Sequence, residues 1–206
     1  MLQAIETLTR AGVSYIGPGA AVMELCYDKL AATERVAAAG IDCPATHGLS
    51  FPMVVKPRRG SDSIGVRIVR GAPPGEHLLQ ELVRGSELTV AVLHGTVGAP
   101  LHIELPPGTT YSFVHKYLLR PRRAPLDDAA LAERVRDTAL RIALLLGVDW
   151  AARVDFIYEP RRDRLCFLEC DVAPLIGGGS AFSDSLLAAG MPRAEQLRRL
   201  ILGACS

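Results

Sequence analysis

A chain of 206 residues that is 49% hydrophobic can bury a domain-sized core, while a net charge of +1 and only 5% aromatics provide neither a basic footprint nor a stacking platform for nucleic acid. The most apolar stretch, Leu140 to Val148, is broken by Arg141 and is far shorter than the roughly 20 residues that cross a bilayer, so no membrane span is expected. Five cysteines, odd in number and widely spread, suggest neither a disulfide framework nor a zinc site; with an N-terminus lacking the apolar core of a secretion signal, they point to a cytoplasmic chain with buried reduced thiols.

The opening segment MLQAIETLTRAG reads as an amphipathic helix. Residues 20–39 are rich in alanine and other helix formers and are followed by Gly40, which predicts one helix with Lys29 in its middle. The apolar run Phe51 to Val55 ends in Lys56-Pro57 and reads as a strand, Val66 to Val69 as its returning partner, and the polar segment RRGSDSIG between them as a hairpin tip. Further strands are expected at 78–83, 87–95, 101–105 and 112–118, making the middle of the chain mostly antiparallel sheet. From Asp127 to Leu146, Leu131, Val135, Ala139, Ile142 and Leu146 recur at helical spacing behind two aspartates that suit the helix dipole. Two more strands, Arg153 to Tyr158 and Leu165 to Cys170, flank an EPRRDR turn. The tail holds a Gly-Gly-Gly-Ser loop at 177–180 and helical stretches at Ser183 to Ala189 and Arg193 to Leu202.

Arginine supplies nearly all the positive charge: of 23 Lys+Arg residues, only Lys29, Lys56 and Lys116 are lysines. Compact ammonium groups at three such points suggest a shared ligand, although composition bias alone would also scatter three lysines. Glu169 and Asp171 stand two apart on a strand and so share a face, where a neighbouring strand could bring Asp155 beside them. Clustered hard oxygen ligands suit magnesium, which is held by one or two carboxylates plus substrate phosphates. Surface acids at strand ends give the same spacing without a ligand. A magnesium phosphate would need positive charge and backbone N–H groups opposite, and Lys56 with Gly60, Ser61, Ser63 and Gly65 can supply both. An ordinary polar hairpin tip reads alike, and it is the conjunction that favours a ligand. His47, His77, His94, His102 and His115 show no ligand spacing.

Six blocks, GVSYIGPGAAVMELCYDKLAATERVAAAGI, PMVVKPRRGSDSIGV, LLQELVRGSELTVAVL, VHKYL, ARVDF and FLECDVAP, stand in an order and at a spacing that resembles the ATP-grasp superfamily, and within it the D-alanine:D-alanine ligases. The resemblance covers nearly the whole chain. It implies an α+β, ATP-grasp fold of two lobes whose antiparallel sheets enclose a nucleotide. Residues 20–95 would form the small lobe with a hinge at 80–87, residues 96–206 the large lobe, and residues 1–19 the tail of the family's preceding α/β domain. By the same resemblance Lys29 and Lys56 contact ATP, Ser61 to Gly65 with Ser63 close over its phosphates, Gln80 and Glu81 hold adenine, and Glu87 binds ribose. Lys116, with Tyr117 beside it, reaches the phosphates from a loop; Asp155, Glu169 and Asp171 hold Mg2+, or Mn2+ in its place; Arg153 stabilises the charge that develops in acyl transfer.

The implied reaction activates a carboxylate as an acyl phosphate, which an amine then attacks, with ADP and phosphate as products. The chain departs from the family pattern at Asp171, where asparagine is usual, at Asp62 in the phosphate loop, and at Leu175, which replaces a glycine in the stretch that recognises the second D-alanine. Three readings stay open: a D-alanine:D-alanine type ligase, a ligase joining other amino acids, and an inactive nucleotide-binding module. The family's first domain, which holds the amine of the first amino acid, has no match here, so completion by a separate partner or a homodimer is a further expectation.

Overall fold

The computed structural model describes residues 2–60, 65–71, 75, 77–104 and 122–203. Helix α1 (Leu2–Arg10) matches the amphipathic opening segment. The alanine-rich stretch forms two helices instead of one, α2 (Ala20–Tyr27) and α3 (Lys29–Ala38), separated by Asp28 in an extended conformation with φ −85° and ψ 95°. The Asp28 carboxylate accepts from the Ala31 N–H at 3.2 Å. Aspartate competes with helical hydrogen bonding from an interior position but satisfies an orphan N–H as an N-cap. Lys29 is therefore the first residue of α3, which corrects the expectation of a mid-helix lysine.

Three strands, β1 (Met53–Lys56), β2 (Arg67–Val69) and β3 (Leu78–Glu81), make a small sheet in the order β2-β1-β3. The remaining strands, β4 (Ser86–Leu93), β5 (Thr96–Val97), β6 (Leu101–Ile103), β7 (Arg123–Pro125), β8 (Ala151–Glu159) and β9 (Arg164–Asp171), make a larger one ordered β7-β6-β4-β8-β9, with β5 on β4. Every pairing among the described residues is antiparallel, as the alternating segments predict. The strand expected at 112–118 lies outside the described residues. Helices α4 (Ala129–Leu146), α5 (Ala181–Ala188) and α6 (Arg193–Leu202) complete the chain, α4 capped by the Asp128 carboxylate on the Leu131 N–H.

The larger sheet is covered on both sides. Leu88, Val90, Val154 and Phe156 point to one side, into a core with Met23, Val36, Val135 and Ile142 from α2, α3 and α4. On the other side Ala91, Leu93 and Ala151 pack with Phe182, Leu186 and Leu200 from α5 and α6. Each large aliphatic or aromatic side chain buried in this way contributes about 1.5–3 kcal/mol, so these two clusters anchor the scaffold. Sheet membership divides the chain between β3 and β4. Strand β4 runs eight residues along β8, from Ser86↔Tyr158 to Leu93↔Ala151, and α2 and α3 pack on the same core, whereas the sequence reading groups residues 20–95 with the smaller lobe.

Cys26, Cys43, Cys166 and Cys170 are free thiols, three of them buried. No helix among the described residues is long and apolar enough to cross a membrane.

Candidate active site

Register and alternation put the chemistry of the larger sheet on one face. Thr89 pairs with Asp155, Asp155 with Glu169, and Arg153 with Asp171, so that their side chains point to the same side, and Glu87 lies two residues before Thr89 on that side too. At one end of this face α5 and α6 form core; at the other the polar side chains collect. The Arg153 guanidinium lies among three carboxylates. It forks onto Asp155 with Nε–Oδ1 and Nη2–Oδ2 both 2.9 Å, and lies 3.6 Å from Glu169 and 3.4 Å from Asp171. Burial alone would lower its affinity for a proton, but Asp155, Asp171 and Glu169 outweigh that and hold it well above the ordinary range. Asp171 moves the other way: burial raises its carboxyl against the pull of Arg153, and Glu169 adds to the rise.

The small sheet contributes from across the site. Lys56 closes β1 and is 7% exposed; burial pushes its ammonium down to about 8, with Glu169 raising it and Lys29 lowering it. Gln80 shares the Lys56 face of the small sheet, because Val54 pairs with Gln80 and Lys56 with Leu78. The buried Gln80 side-chain nitrogen has no hydrogen-bond partner among the described residues. The break at Asp28 docks the hairpin: Asp28 bridges Arg59, its carboxylate takes the Arg58 Nε at 2.8 Å and 2.9 Å, and the Lys29 N–H donates to the Arg58 carbonyl at 3.0 Å. From the first turn of α3 the Lys29 ammonium then donates to the Gly60 carbonyl. At the other side of the tip Gly65 has φ +77°, and a Cβ there would come within 2.9 Å of Pro57.

Lys29, Gly60, Arg153, Glu169 and Asp171 line one cavity of about 630 Å³. The structure thus brings together Lys29, Lys56, Arg153, Asp155, Glu169 and Asp171. Glu81 uses its carboxylate elsewhere. It takes Arg164 at 2.7 Å and the Ala45 N–H at 3.2 Å, and although burial raises its carboxyl, these contacts bring it below the ordinary value. Ser61, Ser63, Lys116 and Tyr117 lie outside the described residues.

Among the described residues no group of three His, Cys, Asp or Glu side chains is arranged to hold a metal ion. The physical reason is Arg153, which occupies the space that the spacing of the three acids leaves for a cation. Asp155 gives its oxygens to Arg153 and to the Thr89 hydroxyl at 2.7 Å. Glu169 and Asp171 still offer the hard-oxygen chemistry of a magnesium phosphate, for which one or two carboxylates suffice.

The sequence reading did not single out Thr89, which orients Asp155, or Asp28, which sets Lys29. An aspartate inside an alanine-rich helical stretch is the one signal that could have marked Asp28.

A family model described as the D-ala D-ala ligase C-terminus matches residues 30–202. The chain belongs to this family. A D-alanine--D-alanine ligase A of Bradyrhizobium diazoefficiens is 31% identical over 94% of this chain, and a D-alanine--D-alanine ligase of Thermotoga petrophila is 32% identical over 98% of it. This chain spans 63% of the length of the first protein and 73% of the second. Among solved structures, the VanG D-Ala:D-Ser ligase of Enterococcus faecalis superposes with a TM-score of 0.83 at 24% identity, over 98% of this chain and 68% of that one. The D-alanine--D-alanine ligase of Bacillus anthracis complexed with ATP gives 0.80 at 21% identity, over 98% and 74%. The resemblance carried by the six sequence blocks and the ATP-grasp, α+β fold are both borne out.

Proposed function

We propose that this chain is the ATP-grasp region of an ATP-dependent, ADP-forming ligase that joins a carboxylate to an amine, as in the D-alanine--D-alanine ligases to which it is similar. The observation that carries this reading is the convergence of Lys29, Lys56, Arg153, Glu169 and Asp171, drawn from two antiparallel sheets and a helix N-terminus, around one site.

In this reading Lys29 and Lys56 hold the phosphates of ATP, whose negative charge offsets the desolvation of the Lys56 ammonium. The Gln80 side-chain nitrogen, without a partner among the described residues, gives the base a hydrogen-bond donor, and Glu87 faces the ribose; the matching of Glu81 to the adenine site rests on its backbone, since its side chain is engaged by Arg164. Glu169 and Asp171, with Asp155 behind them, would hold magnesium or manganese, which when bound neutralises charge on the transferring phosphoryl group. Arg153 faces the oxyanion formed when the amine attacks the acyl phosphate, and its three carboxylates keep it charged throughout. Lys116, Tyr117, Ser61 and Ser63 are assigned by the family resemblance to the loops that exclude water from this intermediate.

Phosphate release from ATP and Mg2+ tests the proposal. Release stimulated by D-alanine or another amino acid supports it. Nucleotide binding with no turnover under any amine rejects it in favour of a binding module. Lys116→Ala is expected to lower turnover far more than stability.

A further inference from the structure

The small sheet stands apart from the apolar packing that holds the larger one. Met53, Val55, Leu78 and Val83 are buried, yet they belong to neither of the two clusters on the faces of the larger sheet. Polar contacts hold the small sheet at two ends. Lys56 pairs with Leu78 and Met53 with Glu81, so Lys56 and Glu81 lie at opposite ends of the β1 and β3 pair, about 10 Å apart along it. Near Lys56, Asp28 takes Arg58 of the hairpin. At the far end the Glu81 carboxylate, closing β3, takes the Arg164 guanidinium, opening β9, at 2.7 Å. Its other oxygen accepts the Ala45 N–H at 3.2 Å, the Ala45 carbonyl accepts the Glu81 N–H at 2.8 Å, and the Asp42 carbonyl accepts the Phe167 N–H of β9 at 2.8 Å. Arg164 thus closes a ring in which β3, residues 42–45 and β9 each hold the next.

The Arg164 and Glu81 side chains are 22% and 25% exposed, so solvent screens this pair less than a surface one. The bond to Glu81 holds the guanidinium above its ordinary range. Arg162 also lies 3.7 Å from Glu81, but it is largely exposed and adds little. Arg164 has a second carboxylate partner, Glu159, at 3.2 Å. Glu159 ends β8 and belongs to the same sheet as Arg164, so that pair joins nothing across the site. We propose that Arg164 is a positioning residue: through Glu81 it fixes the base end of the nucleotide site, Gln80 and the Glu81 backbone, against the larger sheet. The nucleotide in this statement rests on the ligase reading.

The test compares Arg164→Met, Arg164→Lys and Glu159→Gln, the last removing an ion pair of Arg164 that does not link the sheets. Calorimetric Kd for ATP with Mg2+ is expected to rise about tenfold in Arg164→Met and about threefold in Arg164→Lys, and to stay at the parent value in Glu159→Gln. In turnover, Arg164→Met is expected to raise KM for ATP while kcat at saturating ATP stays within about twofold, because Asp28 and Arg58 still hold the Lys56 end. Equal Kd changes in Arg164→Met and Glu159→Gln, or a lowered melting temperature with Kd unchanged, make Arg164 a stabilising residue only; that overturns the proposal and leaves the ligase reading standing. Turnover that no amino acid stimulates removes the ligase reading instead, and the Kd values of the variants still decide the positioning. Where Arg164→Met does not fold, Arg164→Lys set against Glu159→Gln decides it by the same measurement.

Discussion

Arg153 and Asp155 form a two-point ion pair along one face of β8, and the Thr89 hydroxyl of β4 fixes the same carboxylate at 2.7 Å. The pair keeps a guanidinium in the middle of a carboxylate cluster whose members would otherwise repel one another. Arg153→Met removes the compensating charge and is expected to cost about 3–5 kcal/mol of stability, the range for an ion left unpaired in a buried site. Because Glu169 and Asp171 would then face no guanidinium, bound Mg2+ should neutralise part of their charge and restore part of the loss. Urea unfolding with and without Mg2+ reads this directly, and a loss indifferent to Mg2+ would count against the metal assignment.

Lys56 makes the stability of the unliganded protein rise as pH increases from about 8 to 10.5. Its ammonium is pushed down from an ordinary 10.5 to about 8 by burial, so the folded state favours the neutral amine. The corresponding stability is present above 10.5 and is lost as pH falls through 8, which amounts at pH 7 to roughly 3 kcal/mol of unfavourable charge burial. Lys56→Met is therefore expected to stabilise the free protein at pH 7 by roughly 1–3 kcal/mol while weakening ATP binding. In the unaltered protein, ATP binding between pH 8 and 10 should take up a proton, which calorimetry in buffers of different ionisation enthalpy would detect.

Asp28 is expected to matter through its cap more than through its charge. Asp28→Ala should cost about 1–2 kcal/mol, whereas Asp28→Asn keeps the bond to Ala31 and should cost less. The Arg58 hydrogen bond, opposed by burial, lowers the Asp28 carboxyl, so its contribution is present above 3.8 and fades as pH falls through the depressed value. Arg58 is 57% exposed, which keeps the ionic share small. Denaturant midpoints of the two variants at pH 7, compared with a titration toward pH 3, check both statements.

Gly85 sits in the connection between the two sheets, where a Cβ would stand 1.9 Å from the Tyr158 carbonyl oxygen and 2.6 Å from its carbon. Those are backbone atoms of β8 and cannot step aside as a flexible side chain could. Gly85→Ala is expected to cost about 3 kcal/mol, the upper end of overpacking penalties, and to raise KM for ATP because Gln80 and Glu87 flank it. A melting temperature within one degree of the parent protein would contradict this.

Local pattern made several features readable. The two-residue spacing of Glu169 and Asp171 put them on one face, the apolar repeat from Leu131 to Leu146 marked α4, and Lys56-Pro57 marked the end of β1. Each follows from chain geometry over a few residues. The break at Asp28 was less visible, because the strong helix formers on both sides of it dominate propensity while the Arg58 contact that favours the break comes from a hairpin about thirty residues away.

By itself the sequence determined the type and rough order of the elements, the family, and the residue types that a phosphate and metal chemistry would need. The tertiary structure decided which sheet β4 joins, that Arg153 stands inside the carboxylate set, that Glu81 is drawn to Arg164, and that Leu175 lines the same cavity as Arg153. The division has a physical reason. Propensity and alternation act between near neighbours along the chain, while strand pairing, ion-pair choice and cavity shape are settled by contacts between segments far apart in sequence, where several partners of the same chemistry compete and only packing selects among them.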